Sequence, residues 1–354
     1  MNVCIVTVYN SINVGSYWQA RALGEALEKI GHNVVYYRNP ERIRILFSEI
    51  KRGISLIYHR KLKEGIQYFA SILMFLKEQQ IFQVVRKSGG LLKNIDCVIF
   101  GSDTIWNLND KYFNRDQSTF WGLEFDEERL CSYAASISNT EPDAILQNDK
   151  YKKALERFDN ISVRDIKTKT TVELLGVSNV ELVCDPTLLL RKKSYVKITK
   201  CKRQINDKKY ILVYLFTPLN KQQEKELIRF AKEKRLLIVS AYGKKNVPYA
   251  DKVLIDNPQS FMRYFLEADY VVTDTFHGTI FSINFHKKFC SIDRGKIPVN
   301  NAMYEYNLTD WLISEEGSLF NQLDAAIPTE MVEKIIQTNR KKSIKFLLSC
   351  VNYQ

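Results

Sequence analysis

One of the four histidines follows a predicted strand in the segment 273–279, which reads TDTFHGT. We predict that the strand ends at Thr273 and that Asp274 or Thr275 caps a helix whose first turn holds His277. An imidazole titrates near neutrality and suits general acid or base catalysis. Thr275 and Gly278 are candidate substrate contacts, because a glycine lets a ligand approach closely. The segment indicates a catalytic histidine with Asp274 beside it, or else a structural histidine at a helix start.

A second polar segment, GSDTIWN at 101–107, follows another predicted strand. It would place Ser102, Asp103, Trp106 and Asn107 at one mouth of the sheet. Aromatic rings that stack on sugars and carboxylates that accept from hydroxyl groups are common in carbohydrate sites. The alternative is that Asp103 caps the next element and that Trp106 belongs to the core.

Two further strand ends carry groups suited to anions. Asn13 and Gly15 lie in a polar loop before a helix, whose first backbone N–H groups can bind an anion. The loop lacks Gly-x-Gly-x-x-Gly, so a dinucleotide site is not favoured. Arg164 ends a later strand and can bind a phosphate through two hydrogen bonds, or it can pair with Asp165 or Asp185.

The hydrophobic pattern supplies a scaffold for these strand ends. Strands alternate with helices from residue 2 onward and again from residue 210, which predicts parallel sheets. A length of 354 residues favours two domains. The predicted fold class is α/β, with two Rossmann-like domains that face a cleft. The N-terminal domain covers 1–190 and includes a helical basic insertion at about 42–93, a basic linker covers 191–209, and the C-terminal domain with a closing helix covers 210–354.

The chain is basic, with 52 Lys and Arg against 40 Asp and Glu and a net charge of +12. Basic residues are concentrated at 191–203 and in the 42–93 segment, so anionic small molecules and anionic lipids are candidate partners. No nucleic-acid-binding motif is present, and we expect no nucleic-acid partner. The 42–93 segment is apolar on one face. It either rests on an anionic membrane or packs that face on the protein.

Composition narrows the class of protein further. Hydrophobic residues make up 45% and charged residues 26%, which excludes a disordered, collagenous or disulfide-built chain. Seven cysteines lie singly, without metal or redox spacing, so we expect buried thiols in a reducing compartment, no metal and no cofactor. The absence of a secretory signal and of a bilayer-length apolar run predicts a cytoplasmic protein, peripheral at the inner membrane face if the insertion binds lipid.

Six segments in series resemble the polysaccharide pyruvyl transferase family. They are Asn13–Gly15, Gly101–Asn107, Tyr133–Ser136, Ser162–Asp165, Asp185–Leu189 and Thr273–Gly278. The resemblance covers most of the chain, but the 42–93 segment and the C-terminal helix lie outside the matching segments.

The resemblance implies a fold similar to that of GT-B glycosyltransferases. It also implies transfer of pyruvate from phosphoenolpyruvate onto two hydroxyls of a saccharide, which forms a ketal in cell-surface polysaccharide biosynthesis. His277 would be the acid/base, Asp274 would orient the imidazole or cap the helix, and Arg164 would bind phosphate. Asp103 and Asn107 would lie near the saccharide, which is a lipid-linked or nucleotide-linked sugar.

One position departs from the family. Many members have an arginine two residues before the motif histidine, where this chain has Thr275. Either another cation (Lys287, Lys288, Arg294 or Arg21) binds the phosphate, or this subgroup uses another donor. Two other functions stay open: a nucleotide-sugar-dependent glycosyltransferase with the diphosphate at the helix start of His277, and a saccharide- or anion-binding protein without activity.

Overall fold

The computed structural model describes residues 1–39, 41–59, 61–87, 92–110, 118–126, 129–200, 208–241, 246–254 and 257–352. The strands form two sheets in which every pair is parallel. The first sheet contains β1 Asn2–Val6, β2 Asn33–Tyr37, β3 Val84–Val85, β4 Cys97–Phe100, β5 Leu130–Ala135, β6 Asn160–Val163 and β7 Glu181–Leu182. The second contains β8 Tyr210–Tyr214, β9 Leu237–Ser240, β10 Lys252–Val253, β11 Tyr270–Thr273, β12 Lys288–Ile292 and β13 Leu312–Ile313.

Helices connect the strands and cover the sheets. They are α1 Val14–Lys29, α2 Arg42–Tyr58, α3 Leu62–Glu78, α4 Pro142–Leu146, α5 Asp149–Leu155, α6 Ile166–Leu174, α7 Lys192–Thr199, α8 Lys221–Glu233, α9 Pro258–Glu267, α10 Phe276–Asn284, α11 Ile297–Glu305, α12 Leu319–Asp324 and α13 Thr329–Val351. Between β5 and β6 the chain forms two short helices instead of one, because the Asn148 side chain accepts from the N–H of Lys150 and starts α5. In the described part of the chain, no helix is long and apolar enough to cross a membrane.

Both sheets have the strand order of doubly wound folds. The first runs β3-β2-β1-β4-β5-β6-β7 and the second β10-β9-β8-β11-β12-β13. The central strands are buried on both faces, as in CVIF of β4 and YILVY of β8, which explains their unbroken apolar sequences. The order reverses beside β1 and beside β8, and ligands bind at the carboxyl ends of strands near such reversals. The predicted motifs follow these strand ends.

The chain divides into two compact units whose boundaries differ from the predicted ones. One contains Met1–Ile54, Gln79–Leu189 and Thr338–Gln354, and the other contains Ser55–Glu78 and Leu190–Gln337. The predicted insertion is therefore split, since α3 packs with α9 in the second unit. The closing helix was assigned wholly to the C-terminal domain, but its last half belongs with the first unit. Arg340 donates to the carbonyl of Leu188 at 2.6 Å, and Ser343 accepts from the N–H of Cys184 at 3.0 Å.

The predicted linker at 191–209 contains a packed helix. In α7 the ring of Tyr195 is fully buried and contacts Phe281 and Phe285 edge-on, at centroid distances of 5.8 and 5.2 Å. The exposed positions of α7 are three lysines and Val196, so the sequence pattern alone does not show that Tyr195 anchors a packed helix. Residues 201–207 lie outside the described residues, as do Arg60 and the side chain of Lys63 from the basic 42–93 segment.

Six cysteines are reduced and buried, as predicted, while Cys201 lies outside the described residues. The fold nevertheless brings three of them together, which the spacing did not reveal. Cys131 lies near both Cys97 and Cys350, and the Cys97 thiol donates to the Cys350 carbonyl oxygen at 3.6 Å. This cluster joins α13 to the first sheet.

Candidate functional site

In the first unit, Asn13 caps the helix that follows β1. Its side-chain oxygen accepts from the N–H groups of Gly15 at 2.8 Å and Ser16 at 3.4 Å. The cap satisfies backbone donors that would otherwise face an anion at this helix start. Asn13 and Gly15 thus lie at the carboxyl end of β1, as predicted, with a structural role in starting α1.

The segment after β4 is tied to α1 by side-chain hydrogen bonds. The hydroxyl of Ser102 is fully buried and donates to Gln19 at 2.6 Å, and one oxygen of Asp103 accepts from Ser16 at 2.7 Å. The other oxygen of Asp103 accepts from the N–H of Thr104 at 2.8 Å and supports a positive φ of 82°. Gly101 is required here, because a Cβ would lie 2.1 Å from the carbonyl oxygen of Tyr133.

Trp106 was predicted to contact substrate, and the structure assigns it to the core instead. It is fully buried, stacks on Trp121 with ring centroids 5.0 Å apart, and donates its indole N–H to the Phe120 carbonyl at 3.0 Å. No face of this ring is available to a sugar. The alternative interpretation, that Trp106 belongs to the hydrophobic core, is therefore the correct one. Asn107 is 8% exposed and accepts from the Thr140 hydroxyl at 2.9 Å, which fixes the loop after β4.

Arg164, the predicted phosphate ligand, forms an ion pair at the end of β6. Its guanidinium lies 3.1 Å from Asp185, and the two side chains are 7% and 1% exposed. The other oxygen of Asp185 accepts from the backbone N–H and the hydroxyl of Thr187, at 3.0 and 2.7 Å. The positive charge is therefore compensated inside the unit, and of the two interpretations the structure favours the ion pair.

In the second unit, the carboxyl end of β11 holds the histidine motif. Thr275 caps α10, since its hydroxyl accepts from the N–H of Gly278 at 3.0 Å. A Cβ on Gly278 would lie 2.2 Å from the Thr273 hydroxyl and 2.6 Å from that of Thr275. The glycine is needed for the cap itself, and the space that we assigned to a ligand contains these two hydroxyls.

Asp274 is fully buried, and its two oxygens accept from the N–H groups of Phe216 at 2.8 Å and Thr217 at 3.0 Å. Its carboxylate therefore anchors the loop after β8, where we had expected it to orient the imidazole or cap α10. The ammonium of Lys296 lies 3.6 Å from the same carboxylate and donates to the Asp274 carbonyl at 2.8 Å.

His277 is partly buried in the first turn of α10, as predicted. Its ring lies beside those of Phe276 and Phe281, at centroid distances of 5.3 and 6.3 Å. These rings and the helix backbone orient the imidazole at the carboxyl end of β11. Lys296, with 38% of its side chain exposed, supplies a cation at the same strand end.

Sequence reasoning missed Lys296 and offered four other cations. Lys287 is buried and donates to two backbone carbonyls at the end of α9, each at 2.7 Å. Lys288 is the first residue of β12 and lies at the amino ends of the strands, away from the motif. Arg294 lies near the motif but bonds Glu315 and the Pro218 carbonyl, and Arg21 pairs with Glu25 within α1. The sequence signal that could have indicated Lys296 is its position four residues after the buried strand β12.

A metal centre is not indicated by the residues placed in the structure. Among those described, no group of three or more His, Cys, Asp or Glu side chains is arranged to hold a metal ion. The chemistry that can be assigned to the motif rests on an imidazole, an ammonium group and backbone amides.

Comparison with solved structures identifies the fold. The UDP-GlcNAc 2-epimerase from Neisseria meningitidis, bound to UDP-GlcNAc, is 12% identical and superposes with a TM-score of 0.52 over 99% of this chain and 100% of its own. A putative UDP-N-acetylglucosamine 2-epimerase from Listeria monocytogenes is 8% identical, with a TM-score of 0.51 over 97% of this chain and 90% of its own. These neighbours confirm the predicted GT-B-like fold class.

No curated protein matches the chain. A family model described as polysaccharide pyruvyl transferase does match, over residues 13–296. The match begins at the Asn13 cap, ends at Lys296 and covers most of the chain, including every motif described above. The chain belongs to the polysaccharide pyruvyl transferase family and is a transferase.

Proposed function

We propose that this transferase moves a pyruvyl group from phosphoenolpyruvate onto two hydroxyls of a saccharide in cell-surface polysaccharide biosynthesis. In this reaction the methylene carbon of phosphoenolpyruvate gains a proton and becomes a methyl group. The central carbon forms bonds to both acceptor oxygens while its bond to the phosphate oxygen breaks. The protons of the two hydroxyls balance the methyl group and the released phosphate, so no redox partner is needed.

The observation that carries the proposal is that His277 and Lys296 both lie at the carboxyl end of β11. Histidine is the side chain most often used for general acid catalysis, and we assign His277 as the acid toward the methylene carbon. The ammonium provides the positive charge that a phosphate requires, at a site where Thr275 replaces the arginine of many relatives. We therefore assign the role of that arginine to Lys296, and phosphoenolpyruvate remains the proposed donor.

Asp274 acts in this proposal as a positioning residue. Its carbonyl and carboxylate hold Lys296 at 2.8 and 3.6 Å, and its carboxylate fixes the loop after β8. These two contacts limit the rotamers that the Lys296 side chain can adopt. The saccharide is proposed to bind near Asp103 and Asn107, whose loop α1 supports.

A nucleotide-sugar-dependent glycosyltransferase is the second candidate. The shared fold with an epimerase bound to UDP-GlcNAc supports it at the level of architecture. It predicts that a nucleotide sugar and a saccharide react without phosphoenolpyruvate. The same nucleotide sugar is also a candidate acceptor for a pyruvyl group, so binding alone does not separate the two functions.

Melting-temperature shifts provide the first test, with phosphoenolpyruvate, inorganic phosphate and a panel of nucleotide sugars. A ligand that binds only the native state raises the melting temperature, and we expect the larger rise with phosphoenolpyruvate than with phosphate. Each binding sugar is then incubated with phosphoenolpyruvate, and released phosphate and the ketal product are measured. Sugar transfer in the absence of phosphoenolpyruvate would replace the proposal by the glycosyltransferase.

Variants assign the two groups. We expect His277→Ala to abolish turnover while phosphoenolpyruvate still raises the melting temperature. We expect Lys296→Met to weaken phosphoenolpyruvate binding at least tenfold, about the effect of one charge-assisted hydrogen bond. Lys288→Met is the matched control, because Lys288 lies at the amino end of β12, and this variant should bind phosphoenolpyruvate as wild type does. Full activity of His277→Ala, or equal donor affinity in both lysine variants, would refute the assignment.

A further inference from the structure

The helix α2 turns its apolar stripe away from the protein. Ile43, Phe47 and Ile54 are 62%, 61% and 55% exposed, and Tyr58 at the helix end is 84% exposed. These positions lie on one side of a helix, and the fifteen residue-to-residue steps from the first to the last span about 22 Å at 1.5 Å per step. An exposed apolar stripe of this length is unusual on a soluble surface.

The inward side of α2 explains why the stripe stays outside. Ile45, Glu49 and Gly53 occur at intervals of four and are the buried residues of the helix. The single acidic side chain of α2 is thus turned inward and is 9% exposed. Lys51 is exposed one turn after Phe47, so the outer surface of α2 presents apolar and basic groups together, and Arg52 is exposed farther around the helix.

The next helix repeats the arrangement. In α3, Leu62, Ile66 and Leu73 are 59%, 59% and 68% exposed, while Ile72 and Phe75 are buried. The expectation that this segment packs its apolar face on the protein therefore holds for one side of α3 only. On both α2 and α3, a row of apolar side chains is exposed to solvent.

We propose that α2 and α3 bind an anionic membrane surface, each through its own exposed stripe. Residues 42–78 contain eight basic residues against three acidic ones, a net charge of +5 within a chain of +12. Amphipathic helices with apolar and basic groups on one side lie in the headgroup region of anionic bilayers, with the apolar groups buried and the cations near lipid phosphates. Tyr58 is suited to that depth, because a phenol has an apolar ring and a polar tip.

Charge decides between lipid and a protein partner. A stable interface between protein copies is depleted of charge in its core, and lysine in particular is rare there. On α2 the exposed Lys51 lies one turn after Phe47, and on α3 the exposed Lys77 lies one turn after Leu73, which matches a surface of lipid phosphates. The proposal goes beyond the pyruvyl transfer and does not depend on the identity of the donor.

Vesicle sedimentation tests the proposal with the full chain. We expect binding to phosphatidylcholine vesicles that contain phosphatidylserine, little binding to pure phosphatidylcholine, and release at high salt. Phe47→Glu and Leu73→Glu should each weaken binding at least tenfold. Leu174→Glu is the matched control, because Leu174 is equally exposed at 66% on α6. Unchanged melting temperatures would show that the variants fold.

A charge series separates electrostatics from burial. Each basic residue near an anionic surface contributes about a fivefold change in affinity, so Lys51→Gln/Arg52→Gln should lose about 25-fold. Lys221→Gln/Lys225→Gln removes the same charge from exposed positions of α8 and should bind as wild type does. Absence of wild-type binding, or equal binding by Phe47→Glu, would overturn the proposal. A self-associated chain that Phe47→Glu dissociates, with no affinity for vesicles, would overturn it in favour of a second copy.

Discussion

Replacing Arg164 by alanine should destabilise the first unit strongly. Its guanidinium lies 3.1 Å from Asp185, and both side chains are almost completely buried, at 7% and 1% exposure. Removing one partner leaves a carboxylate in the interior without this counter-charge, which costs about 3–5 kcal/mol. Arg164→Ala/Asp185→Asn should recover about 2 kcal/mol, because the amide is neutral and its oxygen can still accept from Thr187.

Urea unfolding followed by tryptophan fluorescence measures these changes. Trp18, Trp106 and Trp121 are buried in the first unit, while Trp311 is in the second, so fluorescence reports mainly on the unit of interest. A cost below 1 kcal/mol for Arg164→Ala, or a double variant no more stable than the single one, would refute the buried ion pair as a stability element.

The same double variant tests the phosphate role that the sequence suggested for this arginine. Because the guanidinium charge is already compensated, we expect phosphoenolpyruvate to bind the double variant with wild-type affinity. A loss of tenfold or more in a variant that folds normally would return Arg164 to the donor site.

Three further predictions concern stability and accessibility. Gly278→Ala should destabilise the second unit by about 2–4 kcal/mol in urea unfolding, because its Cβ meets the Thr273 and Thr275 hydroxyls and breaks the cap of α10. A cost near zero would mean that the cap does not fix this helix. Although desolvation raises the pKa of Glu226, hydrogen bonds led by the N–H of Phe320 hold it below its usual value. The ionised Glu226 side chain stabilises the folded protein at pH values above the pKa that a glutamate has in the unfolded chain. This stabilisation is lost as the pH falls through the lowered pKa of Glu226 in the folded protein. The difference in unfolding free energy between wild type and Glu226→Gln should therefore shrink below about pH 4. The six described cysteines should resist iodoacetamide until the chain unfolds, and rapid labelling of any of them by peptide mapping would contradict their burial.

The sequence predicted the architecture well where the apolar pattern was long. The strands around β1 and β8 were recognised because buried parallel strands are continuous apolar runs. The two-residue strands β3 and β13 were not predicted, since two residues carry no period. The division of α13 between the two units could not be predicted either. It depends on contacts between residues more than 150 positions apart, such as Arg340 with Leu188.

The positions of the motifs in the fold were predicted better than the contacts that their residues make. Every motif lies at the carboxyl end of a parallel strand, yet Asn13 and Thr275 are helix caps and Trp106 is core. Residue type alone does not distinguish a cap from a ligand contact, because both use the same oxygen atoms. Lys296 was overlooked for a related reason: its role follows from the 2.8 Å contact with the Asp274 carbonyl, which has no local sequence signature.

These roles suggest what the family motifs encode in this chain. Most of the motif residues hold backbone turns at strand ends, through hydrogen bonds to N–H groups one to three positions away or across adjacent strands. Such turns determine where a helix start and its first side chains stand relative to a substrate, so their requirement is geometric and specific. In the proposed reaction few groups need to supply protons and charge, and in the second unit we assign these roles to His277 and Lys296. A chain with these turns can therefore have a capping threonine at position 275, where many relatives have an arginine, if the proposed phosphate-binding cation lies at the end of the following strand.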